Sequence, residues 1–357
     1  MADKEIFGIF ATIGGLKKDF PVILIQNVFT PDNSNVLLKD GKIIRRKMRE
    51  KDLLDNNGDK FQTPDTFPII HYHRIVKRAT GIEYLLAFTK AHIYHWNPDT
   101  KTFDLKFTCS ADCENWETVN YNDKVVATNF LDKVLVWTTS GNFVALDTTS
   151  GIEYETGIYL TKAKHLIVYE SYLILGYTYE NGNYYPQRMR WNAIGEEENW
   201  ITGTSGSTEV GKSDIITGFG EYQGLLIVFK KYSYAKYWLV ATDLRFNGAF
   251  ISMEIGCLCS GSIVNDSKGR LYWYASDGTF KEFSTGTISG PIQTDIVDKI
   301  YKTSIEKIRS KFIDETGEVV WSIPFENALN NKVITFNEGK WLQVNLAIPC
   351  FGDYHEA

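Results

Sequence analysis

Short apolar stretches recur along the chain in groups of three or four, and polar turn residues separate them. The run "EYLLAFT" is followed by "AHIYHW" and "FDLKFT", and further groups of the same kind follow, the last with "EVVWSIPF" and "KVITF". Their length and their content of β-branched and aromatic residues are typical of β-strands. Turn residues such as Asn181-Gly182 stand between neighbouring runs. The pattern predicts an all-β chain.

The groups repeat at a regular interval. Successive central residues lie 40 to 52 residues apart; they are Leu86, Val126, Leu175, Ile227, Tyr272 and Val320. Four-stranded blades of a β-propeller recur at about 40–50 residues. One blade cannot bury both of its faces, but blades stacked around an axis cover each other. The spacing favours a β-propeller of about six blades, and β-sandwich domains are the alternative.

The ends of the chain suit a single propeller domain over 21–357, preceded by an N-terminal segment over 1–20. "PVILIQNVFT" predicts a strand that completes the last blade and closes the ring. "NVLLKDGKIIRRK" predicts a hairpin that turns at Asp40-Gly41, within a protruding arm over 37–67. Apolar residues at helical spacing predict a helical insertion around 291–307.

Composition narrows the class of protein. The chain has 357 residues, of which 43% are hydrophobic and 14% aromatic, so it can bury a sizeable core. A formal net charge of −6 argues against nucleic-acid binding over the whole surface. The five cysteines lack the pair spacing of zinc sites, and we expect buried free thiols and folding in the cytosol. The opening residues do not resemble a signal peptide, and no apolar run is long enough to predict a membrane helix.

One short motif suggests nucleotide binding. "GSTEVGKS", Gly206 to Ser213, fits the phosphate-loop pattern G-x-x-x-x-G-K-[ST]. That loop requires a buried strand before it and a helix after it. Three consecutive glutamates, Glu196 to Glu198, precede the motif, and three glycines interrupt the stretch that follows it. We therefore predict a loop between strands, with Lys212 on the surface.

The other candidate residues, which are histidines, arginines and a turn motif, do not form a recognisable catalytic set. His71 and His73 share one face of a predicted strand, but no acidic or cysteine ligand has an obvious place beside them. "SADCENW" resembles the Asp-box turn of sialidase-type propellers, although it is one residue short and lacks the glycine. A sialidase would also need three converging arginines, and nothing in the sequence gathers Arg188, Arg190 and Arg245. We expect no catalytic residues, no bound metal and no cofactor.

The predicted arm carries a run of basic residues. We take five of them as candidate assembly contacts: Lys42, Arg45, Arg46, Lys47 and Arg49. Such a run could touch nucleic acid, but a solvated arm or a contact to an acidic neighbouring subunit is favoured.

Three stretches carry a resemblance to a known group of proteins. "QNVFTPDNSNVLLKDGKIIRRK", "FPIIHYHRIVKRATGIEYLLAFTKAHIYHWN" and "TCSADCENWETVNYNDKVVATN" resemble the β-propeller virion proteins of tailed bacteriophages and prophages. Propellers of that kind occur in tail adaptors, nozzles and hubs. The resemblance spans about Phe20 to Trp341 and consists of strand patterns, so it implies a structural role without catalytic residues.

The resemblance implies a non-enzymatic subunit of the tail, made in the bacterial host cytoplasm and assembled as a ring. Its partners would be other virion proteins and copies of itself. DNA would be a partner only by passing through a channel, and no membrane insertion is expected. The alternative function is a carbohydrate-binding or carbohydrate-active propeller, such as a receptor-binding protein, with aromatic loops that stack on sugars.

Overall fold

A computed structural model describes residues 62–211, 213–240, 246–337, 339–344 and 347–351, together with the backbone of four short strands nearer the start of the chain. These strands are Gly15–Leu16 (β1), Phe29–Thr30 (β2), Val36–Lys39 (β3) and Lys42–Arg45 (β4). Strand β1 pairs in parallel with β2, and β3 pairs with β4 as an antiparallel hairpin.

Most of the described residues form six antiparallel sheets, which are the six blades of a β-propeller. Blade 1 consists of His71–Val76 (β5), Glu83–Phe88 (β6), His92–Asn97 (β7) and Thr102–Thr108 (β8). Blade 2 consists of Glu117–Tyr121 (β9), Lys124–Thr128 (β10), Leu135–Trp137 (β11) and Val144–Ala145 (β12). Blade 3 has five strands, Ile152–Glu155 (β13), Ile158–Tyr169 (β14), Tyr172–Glu180 (β15), Asn183–Trp191 (β16) and Gly206–Glu209 (β17).

The second half of the chain repeats the arrangement. Blade 4 consists of Ile216–Tyr222 (β18), Leu225–Lys230 (β19), Tyr234–Leu239 (β20) and Phe246–Ser252 (β21). Blade 5 consists of Val264–Asn265 (β22), Leu271–Tyr274 (β23), Phe280–Glu282 (β24) and Gly286–Thr287 (β25). Blade 6 consists of Arg309–Ile313 (β26), Glu318–Pro324 (β27), Asn330–Asn337 (β28) and Lys340–Val344 (β29). Four 3₁₀ helices lie between strands, at Ser260–Ser262, Gly290–Ile292, Val297–Lys299 and Lys302–Lys307.

The second strand of a blade buries side chains on both faces, because each face packs against a different neighbouring blade. In β10, Val125 packs in an apolar cluster with blade 1, whereas Val126 packs in a cluster with blade 3. In β19, Val228 packs with blade 3 and Ile227 packs with blade 5. Successive side chains of a strand point to opposite faces, so a continuous apolar run is what such a strand requires. This arrangement stacks the blades around the axis.

Hydrogen bonds join neighbouring blades as well. The Tyr121 hydroxyl, at the end of the inner strand of blade 2, donates to the Ser171 carbonyl of blade 3 at 2.8 Å. The Tyr169 hydroxyl, at the end of the inner strand of blade 3, donates to the Gly224 carbonyl of blade 4 at 2.6 Å. Both tyrosines are buried, and their hydroxyls thereby satisfy a polar atom at an otherwise apolar interface.

Blade 6 meets blade 1 through the segment that follows β29. The side chains of Ile348 and Phe351 pack on the face of blade 6 that is turned away from blade 5. The Cys350 thiol donates to the Ile69 carbonyl, just before blade 1, at 3.1 Å. Strands of five blades, together with Ile263 just before β22 of blade 5, line one common cavity at the centre of the ring.

The predicted blade positions are confirmed. All six central residues chosen from the sequence lie in a central strand of a blade and are buried. Five lie in the second strand, and Leu175 lies in β15, the third strand of the five-stranded blade 3; the five are Leu86, Val126, Ile227, Tyr272 and Val320. All five cysteines are free, as predicted, and four of them are buried. Within the described residues no helix has the length and the apolar character that crossing a bilayer requires.

The N-terminal strand takes a different place from the predicted one. Blade 6 is complete with four strands from the end of the chain. Strands β1 and β3 lie beside its last strand, β29, but hydrogen-bond with β2 and β4. Of the stretch predicted to close the ring, 21–30, the structure describes only Phe29–Thr30 (β2), which pairs with β1 and not with a strand of blade 6.

The predicted helical insertion is also different in detail. Residues 290–307 form three short 3₁₀ helices and no α-helix. Pro291 lies in the first turn of one of them, and Ser304 has non-helical backbone angles within another. The apolar positions of this segment are core positions, since Ile292, Ile296 and Ile300 are all buried in the core of blades 5 and 6. Packing on that core overrides the tendency of the segment to form a continuous helix.

We expect the substitution Leu175→Ala to destabilise the protein strongly. Leu175 is fully buried between blades 2 and 3, and its truncation leaves a cavity that rigid strands cannot close. The free energy of unfolding should fall by about 2–5 kcal/mol in a denaturant titration. The control Leu105→Ala removes a half-exposed side chain from β8 and should change it by less than about 0.5 kcal/mol. Equal effects of the two substitutions would contradict the assigned packing.

Candidate functional site

The largest concentration of polar side chains inside the ring lies on the propeller axis. A cavity of about 370 Å³ lies there, at the end where the inner strands begin. A second cavity of about 160 Å³ adjoins it, and Asn115 and Ser260 belong to the walls of both. Each blade contributes to the wall of the larger cavity, including His71, Thr118, Ile167, Phe219, Ile263 and Arg309. We call the larger one the axial cavity.

Two neighbouring inner strands form a ladder of hydrogen bonds along the wall. The Thr118 hydroxyl lies 2.7 Å from His71 Nε2 and 2.7 Å from His73 Nδ1. His73 Nε2 lies 2.7 Å from Asn120 Oδ1, and Asn120 in turn donates to the Arg74 carbonyl at 3.2 Å. Successive side chains of a strand point to opposite sides, so residues 71 and 73 of β5 share one side and face residues 118 and 120 of β9. The ladder joins blade 1 to blade 2.

Both histidines of the ladder favour the neutral form. Burial above all, together with the nearby His73 and Arg309, lowers the pKa of His71 to about 3. Burial also lowers the pKa of His73, against the hydrogen bond to Asn120. In the neutral form, His73 donates from Nε2 to Asn120 and accepts at Nδ1 from the Thr118 hydroxyl. Because that hydroxyl has one proton, Thr118 must accept the bond from His71 Nε2. All donors of the ladder then point the same way along the axis.

A buried carboxylate orients a third histidine. Glu117 Oε1 lies 2.7 Å from His165 Nδ1, and the other oxygen accepts from the Leu166 amide at 3.2 Å. Burial raises the pKa of Glu117, but the charge and hydrogen bond of His165, with hydrogen bonds from Ser260 and Leu166, outweigh it and lower the pKa. His165 is 2% exposed and lines the smaller cavity, and its Nε2 has no hydrogen-bond partner among the described residues. A carboxylate thus fixes the ring and leaves Nε2 available to a proton or a ligand.

Side chains of non-adjacent blades meet at this end of the axis. Arg309 of blade 6 donates from Nη2 to Asn115 Oδ1, which precedes blade 2, at 2.9 Å. Lys164 of blade 3 lies 3.6 Å from Glu306, which precedes blade 6 on the opposite side of the ring. These contacts link non-adjacent blades across the axis.

The histidines of blade 1 do not gather into one site. His71 lines the axial cavity, and His73 is joined to it through Thr118. His92 lies 2.9 Å from Asp65, and His95 lies 4.0 Å from Asp104 on another part of blade 1. Within the described ranges, no three His, Cys, Asp or Glu side chains come close enough together to hold a metal ion.

The arginines considered for a sialidase-like site have a structural partner. Arg188 and Arg190 of β16 both bond to Glu180, at 2.8 and 2.9 Å, and Glu180 is fully buried. Burial raises the pKa of Glu180, but Arg190 above all, with Thr178 and Arg188, outweighs it and holds the pKa below its usual range. Arg245 lies outside the described residues. The two arginines therefore neutralise a buried carboxylate within blade 3.

The two motifs of the sequence have local structural roles. In the phosphate-loop match, Gly206–Glu209 is β17, paired with β16, and the next element is β18 and not a helix. The match is therefore a strand followed by a loop, and Lys212 lies outside the described residues. In "SADCENW", the Cys113 amide donates to the Lys90 carbonyl at 2.8 Å and Trp116 Nε1 donates to the Thr89 carbonyl at 3.1 Å. This turn is fastened to blade 1.

The candidate assembly contacts are only partly within the described structure. Lys42 and Arg45 are the first and last residues of β4. Arg46, Lys47 and Arg49 lie outside the described residues. The hairpin β3–β4, predicted from Asp40-Gly41, is confirmed by the pairing of Lys39 with Lys42.

A second candidate site is a cluster of aromatic rings on the rim of blades 2 and 3. Strands β14, β15 and β16 are long, and they extend past the ends of the other blades. Phe130, Tyr177, Tyr179 and Tyr184, which we call the aromatic patch, contact one another with ring centres 4.6 to 6.5 Å apart. Tyr184 is 58% exposed. No sequence pattern predicts that Phe130 lies beside the three tyrosines, because Phe130 belongs to blade 2 and the tyrosines belong to blade 3.

Two residues of the aromatic patch have strained backbones. Phe130 has a φ of 62° and Tyr177 a φ of 53°, in the left-handed region that bulky residues rarely adopt. Tyr177 also lies at a break in the pairing of β15 with β16. Such conformations cost about 1–3 kcal/mol each and concentrate at functional sites, and bulges re-aim side chains. Here they bring the two rings to 5.0 Å from each other.

We expect the stability of the protein to fall in mild acid because of His71. Its pKa is lower in the folded chain, about 3, than in the unfolded chain, about 6.5. Between these values the unfolded chain binds a proton that the folded chain does not. Each unit of pH in this window should therefore remove up to about 1.4 kcal/mol from the free energy of unfolding.

Denaturant titrations of the wild type and of His71→Gln between pH 6.5 and 5 measure this effect. Carboxylates remain ionised there, and glutamine can still donate to Thr118 without titrating. The variant should lose less stability per pH unit than the wild type. Identical slopes would show that His71 is protonated in the folded protein.

Comparisons with known proteins assign no family to this chain. No family model matches the sequence, and no curated protein matches it. One solved structure with a similar course of the chain is the extracellular domain of a putative hybrid two component system from B. thetaiotaomicron. Its identity to this chain is 9% and the TM-score is 0.48, and the match covers 77% of this chain and 33% of that one. An extracellular domain of a putative one component system from the same organism (9%, 0.43) covers 76% and 33%.

A third solved structure is dihydro-heme d1 dehydrogenase NirN in complex with DHE (9% identity, TM-score 0.45), covering 81% of this chain and 56% of that one. This chain therefore spans only a third to just over half of the length of these proteins. At this identity, none of their activities or ligands carries over to it.

Proposed function

We propose that this protein is a non-enzymatic structural subunit of a tailed-phage particle, in the tail as an adaptor, nozzle or hub. The observation that carries the proposal is that the six blades and the closure of the ring are complete without the N-terminal hairpin β3–β4. The hairpin lies beside β29, outside the sheet of blade 6. A segment that the fold does not need for its own closure is available for contacts with other subunits.

The character of the described side chains supports a scaffold and not a catalyst. Inside the ring, ionisable groups of the axis are hydrogen-bonded to other protein groups, as Glu117 is to His165 and Arg309 to Asn115. A propeller has few free strand edges, so its assembly must use loops or extensions. The basic residues of the arm and the net charge of −6 of the whole chain make contact between the arm and an acidic subunit surface favourable.

Reversing the charge of the arm should prevent incorporation into particles. In the double variant Arg45→Glu/Arg46→Glu the monomer should keep the circular dichroism and melting temperature of the wild type, because the blades are complete without the arm. Particles formed with it, purified by gradient and analysed by mass spectrometry, should contain at least about tenfold less of this protein. Rim charges act chiefly on encounter and specificity, so raised salt should weaken wild-type assembly as well.

The matched control is Lys268→Glu/Lys302→Glu, which makes the same change in net charge at two exposed lysines of the blades. It should enter particles like the wild type. Normal incorporation of the arm variant would show that the docking surface lies on the blade loops.

The aromatic patch favours a second candidate function, binding of carbohydrate. Sugar rings present flat C–H faces that suit exposed aromatic rings, whose faces are electron-rich. The strain at Phe130 and Tyr177 holds such rings at the rim, and Lys162 and Lys164 lie 5.9 Å from the ring centres of Tyr179 and Tyr177. This function is compatible with a place in a particle.

If the aromatic patch binds sugar, Tyr184→Ala should abolish retention of the protein on bacterial surface polysaccharide. The matched control is Tyr232→Ala, which removes a tyrosine of similar exposure, 53%, from the 231–233 loop of blade 4. Retention measured on a glycan array should fall about tenfold only for the first variant, since one stacked ring contributes about 0.5–1.5 kcal/mol beyond the area that it buries, and about 1.4 kcal/mol corresponds to a factor of ten. Equal retention of both variants, or none by the wild type, would exclude the patch as a sugar site.

A further inference from the structure

Arg309 is a buried cation without a carboxylate partner. Its side chain lines the axial cavity, and the residue is only 9% exposed. Nη1 donates to the Glu306 carbonyl at 2.7 Å and to the Ile308 carbonyl at 2.9 Å, and Nη2 donates to Asn115 Oδ1 at 2.9 Å. All three acceptors are neutral. Within the described part of the chain, Arg309 forms no ion pair.

A charge in this position is costly unless something compensates it. Burying a cation against neutral oxygens alone leaves most of its desolvation cost uncompensated. The carboxylate of the same wall, Glu117, is already committed to His165 and to the Leu166 amide. Among the described residues that line the axial cavity there is no other carboxylate.

The remaining N–H groups of the Arg309 guanidinium can donate hydrogen bonds to an anion. A guanidinium has five N–H groups, and three of those of Arg309 are used. The other two are Nε–H and one N–H of Nη2. Such a pair matches the two oxygens of a carboxylate in a bidentate contact.

Part of the cavity wall is apolar, and polar side chains such as Thr118 and Ser310 line the rest. Leu166 and Ile167 of blade 3, Phe219 of blade 4, Ile263 of blade 5 and Phe351 lie around it. A volume of about 370 Å³ falls in the range of sites for small organic molecules, which combine apolar walls with a few placed polar groups. An inorganic anion would leave the apolar wall unused, whereas an organic acid would use both parts.

We propose that the axial cavity is a binding site for a small organic carboxylate, held by Arg309. The carboxylate lies against Nε–H and Nη2–H of Arg309, and its apolar body packs on Ile167, Phe219 and Ile263. This site does not depend on the role in the phage tail or on the arm. Binding would join blade 6 to blades 3, 4 and 5 across the axis and so stabilise the closed ring.

Isothermal titration calorimetry of the purified protein tests the proposal with acetate, butyrate, benzoate and succinate as probes. At least one should bind at a single site with a Kd at or below about 1 mM. Benzamide, which has the shape of benzoate without its charge, should bind at least about tenfold more weakly than benzoate if benzoate is a ligand. Inorganic phosphate should bind more weakly than the best carboxylate. The melting temperature should rise with the concentration of that carboxylate.

Two variants locate the site. Arg309→Lys keeps the charge but loses the bidentate fork, and it should weaken binding at least about tenfold. Ile167→Phe keeps Arg309 and fills part of the cavity, so it should weaken binding by exclusion. The matched control Arg270→Lys alters an arginine that is paired with Asp266 in blade 5, and it should bind like the wild type.

Several results would overturn the proposal. These are the absence of saturable binding for all four carboxylates, affinity of Arg309→Lys equal to that of the wild type, or equal loss in Arg270→Lys. Phosphate binding as tight as the best carboxylate would refute an organic ligand and leave a general anion site. Because Arg309→Lys changes no charge, a folded variant is expected, and Ile167→Phe gives an independent answer if it is not.

Discussion

The structure depends on the burial of both faces of a central strand in each blade, which is the second strand in five blades and the third, β15, in blade 3. A blade of four strands has too little volume to cover either face by itself, so each blade is stable only between two neighbours. Val125 and Val126 illustrate the constraint, since two adjacent residues belong to the cores of two different interfaces. The same constraint requires the ring to close, because an open end would leave one apolar face in water. The segment with Ile348 and Cys350 provides that closure between blades 6 and 1.

Closure of the ring creates the polar environment of the axis. Inner strands converge there from all sides, and their polar side chains can reach residues that are far apart in sequence, as Arg309 reaches Asn115. In this enclosed space hydrogen bonds are strong and unmatched charges are costly. The ladder from His71 to Asn120 satisfies its members with neutral histidines, and Glu117 is satisfied by His165. Arg309 is the cation whose compensation this network leaves incomplete.

The blades and the features outside them have separate tasks. The blades supply a rigid ring that does not need the hairpin β3–β4, and this frees the hairpin for contacts with other proteins. The aromatic patch lies on strands that are longer than the ring requires, and its backbone strain is tolerated because blade 3 anchors it through Glu180, Arg188 and Arg190. A scaffold of this kind can combine assembly at one place with binding of ligands at two others.

The sequence by itself determined the repeat, the blade register and the buried positions. Alternation and spacing are local properties, so Leu175 and Ile227 could be placed in central strands without knowledge of their neighbours. It also excluded the phosphate loop, because strand and helix signals around Gly206 are local. Tertiary structure decided the 3₁₀ form of 290–307, the position of β1 beside β29, and the sites. Glu117, His165 and Arg309 come from three blades, and Phe130 and Tyr177 from two. Their proximity follows from the closure of the ring, which no stretch of sequence contains.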